Sequence, residues 1–368
     1  MLKPRTVGCG YVAGVTCVVA VIAMVVIVAA GAVTLIAVNH NRPTSGPPSA
    51  FTPKQLVVDR PLVLTYYFYW YDAATGSHLG PNAPLPVHPV DQPTPSYRSV
   101  AWHKKELTDM AQAGIDVAMP VYWGFGKEAW STDGLAYMSQ ARDELLAQKL
   151  PAPALGLFLD TSILKGRDLT RPENIDFFYA NVSDFYHHVP TKHWARVNGR
   201  PIVWIWGPQP GNNVGQELFD QTYQRFQAEF GVRPFIVRDL GFNCPITGWR
   251  NDLPVQDCRH PIQTDASYVW GTAERGYDPL GEVASVGPGY DERLVPGRAG
   301  LHRSRDGGKW YISNFDKAIA SGKQLLVLET WNEFHEATAV CETKEYGRQY
   351  IELSKQLTDR WRAAVTKK

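Results

Sequence analysis

The chain has 368 residues, with 37 Lys plus Arg against 36 Asp plus Glu. Nothing in that near balance suggests a nucleic-acid partner, which would need a basic face. The length permits two domains or a single barrel of about 250 residues. The 12 Trp and 17 Tyr suit either a large core or a groove that stacks flat, neutral ligands.

After a short N-terminus at residues 1–10, residues 11–38 carry no charge and are dominated by Val, Ala and Ile. As a helix rising about 1.5 Å per residue, this run exceeds the ~30 Å hydrocarbon core of a bilayer. It is expected to be a transmembrane signal anchor. Lys3 and Arg5 precede it, which favours a cytoplasmic N-terminus and places the rest of the chain in an extracellular or lumenal space. A cleaved signal peptide is the competing reading, with Ala30 and Ala32 as small residues for a peptidase. Such peptides use only about 7–15 apolar residues. Residues 39–55, rich in Pro, Ser and Gly, cannot bury a core and read as a stalk.

From residue 56 to 368 the pattern is that of one domain. A strand is expected at 62–71 and an amphipathic helix at 102–113, ending at Gly114. A strand at 115–123 precedes a helix at 135–148, and a strand at 154–160 precedes a helix opened by Pro172, with Glu173 in its first turn. A strand at 201–206 is followed by a helix at 216–230, closed by Gly231, and a strand at 234–239. Shorter strands are expected at 266–270 and 282–286, with little helix between them. A helix at 311–320 closes at Gly322, a strand covers 324–330, and a final helix covers 345–362. Continuous apolar runs such as LGLFL and LLVLE indicate strands buried on both faces and paired in parallel. No glycine-rich phosphate loop follows the first strand, so a (β/α)₈ TIM barrel fits better than a doubly wound sheet.

Cys244 and Cys258 flank a loop rich in Pro, Gly and Asp and suit a disulfide in an oxidising compartment; two unpaired thiols are the alternative. Cys9 and Cys17 lie at or in the anchor, and Cys341 has no evident mate. Neither CxxC nor HExxH occurs, so no zinc site or cofactor is expected. Asn181-Val182-Ser183 is a glycosylation sequon, meaningful only in a eukaryotic secretory pathway.

In a barrel of this kind the chemistry sits at the C-terminal ends of the strands. Those ends carry Trp70, Tyr71, Trp123, Asp160, Trp206, Trp270 and Tyr290, and then Asn332, Glu333, His335 and Glu336. Aromatic rings and carboxylates on one rim are what a sugar-binding cleft requires. Glu333 and Glu336 are the candidate catalytic pair, because acetal cleavage needs a proton donor and a second carboxylate. The competing reading is a helix N-terminus decorated with acids. Glu329 reads as a structural ion-pair partner. His335 either positions a hydroxyl or is a satisfied structural histidine, and Asp160 either binds a hydroxyl or caps the next segment.

The stretch WNEFHEAT at 331–338 resembles the NEWHEGT signature of glycoside hydrolase family 99, the endo-α-mannosidase type. YYFYWY at 66–71, AGID at 113–116 with YWG at 122–124, and SVGPGYD at 285–291 resemble further blocks of that family in the same order. The resemblance spans residues 62–342. It implies a (β/α)₈ barrel, no metal, and hydrolysis of α-mannosidic linkages in glycans with retention. It also implies Glu336 as general acid and then base, and Glu333 as the base for the sugar 2-hydroxyl, which closes on C1 as a 1,2-anhydro intermediate. Phe334 replaces the usual Trp, Ala337 the usual Gly and Asp160 the usual Glu, and AVCETKEYG at 339–347 departs from the usual continuation. A retaining glycosidase of the clan with Asn-Glu at strand four fits poorly, since Trp206 stands there. A non-catalytic carbohydrate-binding protein on the same scaffold is the alternative from another functional class.

Overall fold

The computed structural model of the chain describes residues 56–79, 83–124 and 130–366. The expected anchor at 11–38 and stalk at 39–55 lie outside the described residues. Among the described residues no helix is long and apolar enough to cross a membrane.

Eight parallel strands form the barrel: β1 Leu62–Tyr67, β2 Val117–Tyr122, β3 Leu157–Leu159, β4 Arg200–Ile205, β5 Phe235–Asp239, β6 Ala266–Tyr268, β7 Ala284–Val286 and β8 Leu325–Leu328. Their order around the sheet is β6-β5-β4-β3-β2-β1-β8-β7. The register pairs Leu64 with Val117 across β1 and β2, and Leu62 with Leu325 across β1 and β8. The ladder stops between β6 and β7. There the Ser267 carbonyl accepts from the Glu282 and Val283 N–H groups at 2.9 and 3.1 Å, and the Ser267 N–H and hydroxyl donate to the Glu282 carboxylate at 2.7 Å each. A side chain thus completes what a backbone ladder does elsewhere.

Every residue of β1, β2 and β8 is buried, which is why these strands read as unbroken apolar runs. Tyr66 from β1 fills the barrel interior together with Phe158, Trp204 and Tyr268, its ring 4.5 to 6.2 Å from theirs. Such a packed aromatic plug makes the barrel interior a solid core and not a pore.

The first half alternates as expected: α1 (Val100–Gln112), α2 (Gly134–Ala147), α3 (Pro172–His188) and α4 (Gln216–Phe230) follow β1 to β4. The Ser99 hydroxyl caps α1 by accepting from the Trp102 N–H at 3.2 Å. Gly114 turns the chain after α1 with φ +82°, and a Cβ there would meet Thr358 Oγ1 at 2.3 Å. The second half is less regular. No α-helix follows β5; a single 3₁₀ turn at Leu240–Phe242 leads into a hairpin of Ile246–Arg250 and Leu253–Gln256, bracketed by a Cys244–Cys258 disulfide. The four-residue α5 (Thr272–Arg275) follows β6, and a hairpin of Tyr290–Asp291 and His302–Arg303 precedes α6 (Lys309–Ser321). The last helix, α7 (Gln349–Val365), starts later than expected because Thr343 and Gly347 pair across a turn in front of it. The sequon lies within α3, where Asn181 is fully buried and its Nδ2 donates to the Phe177 carbonyl at 2.7 Å, so the folded chain does not present it.

Candidate active site

Beyond β8 the chain leaves the barrel in a tight excursion over residues 329–338. Its neck is closed by Thr330 and Thr338: the Thr330 N–H donates to the Thr338 carbonyl at 3.2 Å, and the two hydroxyls lie 2.9 Å apart. Within it, the Glu333 N–H donates to Thr330 Oγ1 at 2.9 Å. Ala337 makes the return with φ +50°. That left-handed backbone costs an L side chain about 1–2 kcal/mol, which explains glycine at this place in the signature that the segment resembles. Arg305 holds the same return from outside, its Nη2 donating to the carbonyls of Ala337 and Ala339 at 2.7 Å each. The guanidinium lies 4.4 and 4.3 Å from the ring centres of Tyr346 and Tyr350.

This excursion presents both candidate carboxylates. Glu333 is buried, and its Oε1 accepts from the His335 N–H at 2.9 Å, lies 3.1 Å from His335 Nδ1, and meets the Tyr71 hydroxyl at 3.5 Å. Glu336 Oε1 accepts from Arg298 Nη1 at 2.7 Å. In both carboxylates Oε2 has no hydrogen-bond partner among the described residues. Burial pushes the Glu336 carboxyl up to about 7, the Glu333 charge adds to the rise, and Arg298 opposes it.

An aromatic wall extends from Glu333. Tyr71 stacks on His335 at 6.1 Å, and His335 meets His78 edge-on at 5.8 Å. The His78 ring lies 5.8 Å from Trp130 and 5.5 Å from Trp70, and Trp70 stacks on Trp123 at 4.2 Å. Trp123 Nε1 donates to Asp160 Oδ2 at 2.5 Å, while Asp160 Oδ1 accepts from the Ser162 N–H at 2.9 Å. Burial lowers the affinity of His78 for a proton, and His335 lowers it further.

Several expected site residues take other work here. Asn332 is fully buried, and its amide exchanges hydrogen bonds with the Phe68 backbone at 2.8 and 2.9 Å. It ties β8 to the end of β1 and leaves no group for a substrate. Tyr71, also fully buried, props Glu333 and His335 instead of offering a stacking face. Asp160 is a cap and a holder for Trp123. Glu329 finds backbone partners in place of the expected cation: its carboxylate accepts from the Gly271 and Ala273 N–H groups at 3.1 Å each, at the start of α5. Trp206 and Trp270 meet each other at 5.9 Å, and Trp270 sits 5.0 Å from Tyr66, so this pair roofs the aromatic plug.

Tyr290 does lie beside the pair. Its hydroxyl donates to Glu292 Oε2 at 2.7 Å and accepts from Arg298 Nη1 at 3.2 Å. Sequence reasoning missed Arg298, Glu292 and His78. All three lie in loops, and the only hint was the glycine-flanked GRAG at 297–300. Among the described residues no cluster of three or more His, Cys, Asp or Glu is arranged to hold a metal.

Residues 51–367 match a family described as Domain of unknown function (DUF5010). No curated protein matches the chain. Among solved structures, the GH99 endo-α-mannosidase from Bacteroides thetaiotaomicron superposes with a TM-score of 0.58 at 14% identity, covering 83% of this chain and 98% of that one. The same enzyme in complex with BIS-TRIS-propane gives 0.59 at 14% identity, with the same coverage. A glycoside hydrolase-like protein gives 0.59 at 15% identity, covering 84% of this chain and 97% of its own. The barrel is therefore similar to the GH99 fold in nearly its whole length, while the sequence has diverged far from it.

Proposed function

The chain belongs to the DUF5010 family, and from that premise we propose that it is a glycoside hydrolase cleaving α-mannosidic or related linkages in glycans with retention. The observation that carries this reading is the asymmetry of two neighbouring carboxyls. Each has one oxygen pinned and one unengaged among the described residues, and only Glu336 sits beside a guanidinium while pushed up to about 7. An acid near neutrality retains a proton for a leaving oxygen at the pH where the reaction runs.

In this mechanism Glu333 Oε2 removes the proton of the sugar 2-hydroxyl. The freed oxygen attacks C1 as Glu336 gives its proton to the departing glycosidic oxygen, and a 1,2-anhydro sugar results. Glu336, now a carboxylate, takes a proton from water. That water opens the ring at C1 while Glu333 returns its proton to O2. Two inversions at C1 give net retention, and both glutamates regain their starting states. Trp123, with His78 and Trp130, supplies rings against which the sugar packs.

The anchor at 11–38 belongs to the same proposal. It holds the barrel outside the cytoplasm on a single span, where glycans are met. The test is a glycan panel with the purified chain and with Glu336→Gln and Glu333→Gln. The hydrolase reading expects released oligosaccharide from the parent chain and at least about a 10²-fold loss of turnover in each variant. Glycan binding without product in all three chains would make it a carbohydrate-binding protein instead.

A further inference from the structure

The Tyr290–Asp291 and His302–Arg303 hairpin carries a ten-residue loop, 292–301, that reaches Glu336. Its Arg298 is half-exposed, yet Nη1 makes three contacts inward: Glu336 Oε1 at 2.7 Å, Glu292 Oε2 at 3.2 Å and the Tyr290 hydroxyl at 3.2 Å. Glu292 is itself buried and fastened, accepting from the Tyr290 hydroxyl at 2.7 Å and from the Leu301 N–H at 3.2 Å. The hairpin also grips the catalytic excursion by its backbone, the Asp291 N–H donating to the Glu336 carbonyl at 2.8 Å. The guanidinium therefore has its place set by a carboxylate that plays no part in the reaction, and it in turn fixes which oxygen of Glu336 is engaged.

The geometry points to Arg298 as a positioning residue: it binds Glu336 Oε1 so that Oε2 alone meets the leaving oxygen, and it makes the hairpin part of the catalytic apparatus. This rests on the reading of Glu336 as the acid. Among the described residues, the charged and titratable groups interacting with Glu336 are Glu333 in the same excursion, Tyr71 from the end of β1, and Tyr290, Glu292 and Arg298 from the hairpin. Arg298 is the one cation among them. Its removal leaves Glu336 facing two carboxylates and two phenols, so the Glu336 proton is held more tightly.

The experiment is a ¹³C NMR titration of the Glu336 carboxyl in the full chain, assigned through Glu336→Gln, for the parent, Arg298→Gln and Arg298→Lys. The Gln variant is expected to titrate about one pH unit higher than the parent, the size of effect an adjacent opposite charge exerts, with Lys restoring part of the difference. On a cleaved glycan, Arg298→Gln moves the alkaline limb of the kcat/KM profile upward by the same amount and lowers kcat more than it changes KM. Identical titration in the parent and Arg298→Gln, both folded, overturns the inference. The titration needs no turnover, so a chain that cleaves no glycan would sink the hydrolase reading while leaving the Arg298–Glu336 coupling to be judged on its own.

Discussion

The two halves of the barrel solve the same problem differently. From β1 to α4, each strand hands the chain to a helix of 13 to 17 residues, and neighbouring strands pair through backbone ladders. From β5 to β7, a hairpin and a four-residue helix replace such crossovers, a second hairpin precedes the 13-residue α6 between β7 and β8, and the β6–β7 seam depends on the Glu282 side chain. The regular half contributes rings and props to the rim: Tyr71, His78, Trp123. The irregular half contributes the charge pattern, with Arg298, Glu292 and the return held by Arg305. Irregular structure frees backbone and side chains to converge on a site, at the expense of ladder bonds that would stabilise it.

The sharpest way to break this contrast is Glu282→Ala. It strands the buried Ser267 N–H and hydroxyl and is expected to cost about 3 kcal/mol in chemical denaturation. In the parent chain, amides of β6 and β7 should exchange hydrogen faster than those of β1 and β2. Equal protection would erase the distinction between the halves. Replacing Cys244 and Cys258 together by Ser releases a closed loop 14 residues apart in sequence. A loss of up to about 3 kcal/mol is expected from loop entropy, with the barrel itself retained in circular dichroism.

Acidity offers a subtler probe. Glu106 under the regular half, and Glu329 and Glu336 beyond β8, are each pushed up to about 7 by burial. Between the ordinary glutamate range and 7, the folded chain holds protons that the unfolded chain has released. Its stability is therefore greatest at low pH with respect to these groups and declines as pH rises through 7. Buried His103, pushed down to about 4 by burial, tilts stability the other way, so the check is a difference: Glu106→Gln should raise Tm at pH 7.5 relative to pH 5 compared with the parent chain. The smallest effect is expected from Ala337→Gly. Relief of the left-handed alanine exceeds the added entropy of the unfolded glycine by less than about 1 kcal/mol, read as a slight rise in Tm.

The regular half was largely legible in the sequence. Continuous apolar strands, Pro172 at a helix start and Gly231 at a helix end each leave a local mark, and the helices fall within a residue or two of expectation, whereas β1 ends at Tyr67 instead of 71 and the strand expected at 154–160 is split into Ala154–Leu155 and Leu157–Leu159. β6 and β7 are three residues each, too short for a periodicity, and their closure rests on a contact between Ser267 and Glu282 that no local pattern encodes. The same holds at the site. Glu333 and Glu336 stood out because they crowd the end of a strand. Asn332 and Tyr71 looked equally exposed from their rim positions, yet side-chain direction at a strand end is decided by packing, which turned both inward. Arg298 reaches Glu336 from 38 residues away in sequence, a distance at which only the fold makes the pairing visible.

The most direct measurement follows the anomeric proton of the product by NMR while the purified chain acts on an α-mannoside. With retention, the α-hemiacetal forms first and then mutarotates, and Glu333→Gln and Glu336→Gln release little or none. A β-product at first appearance, or undiminished release by Glu336→Gln, would contradict the mechanism.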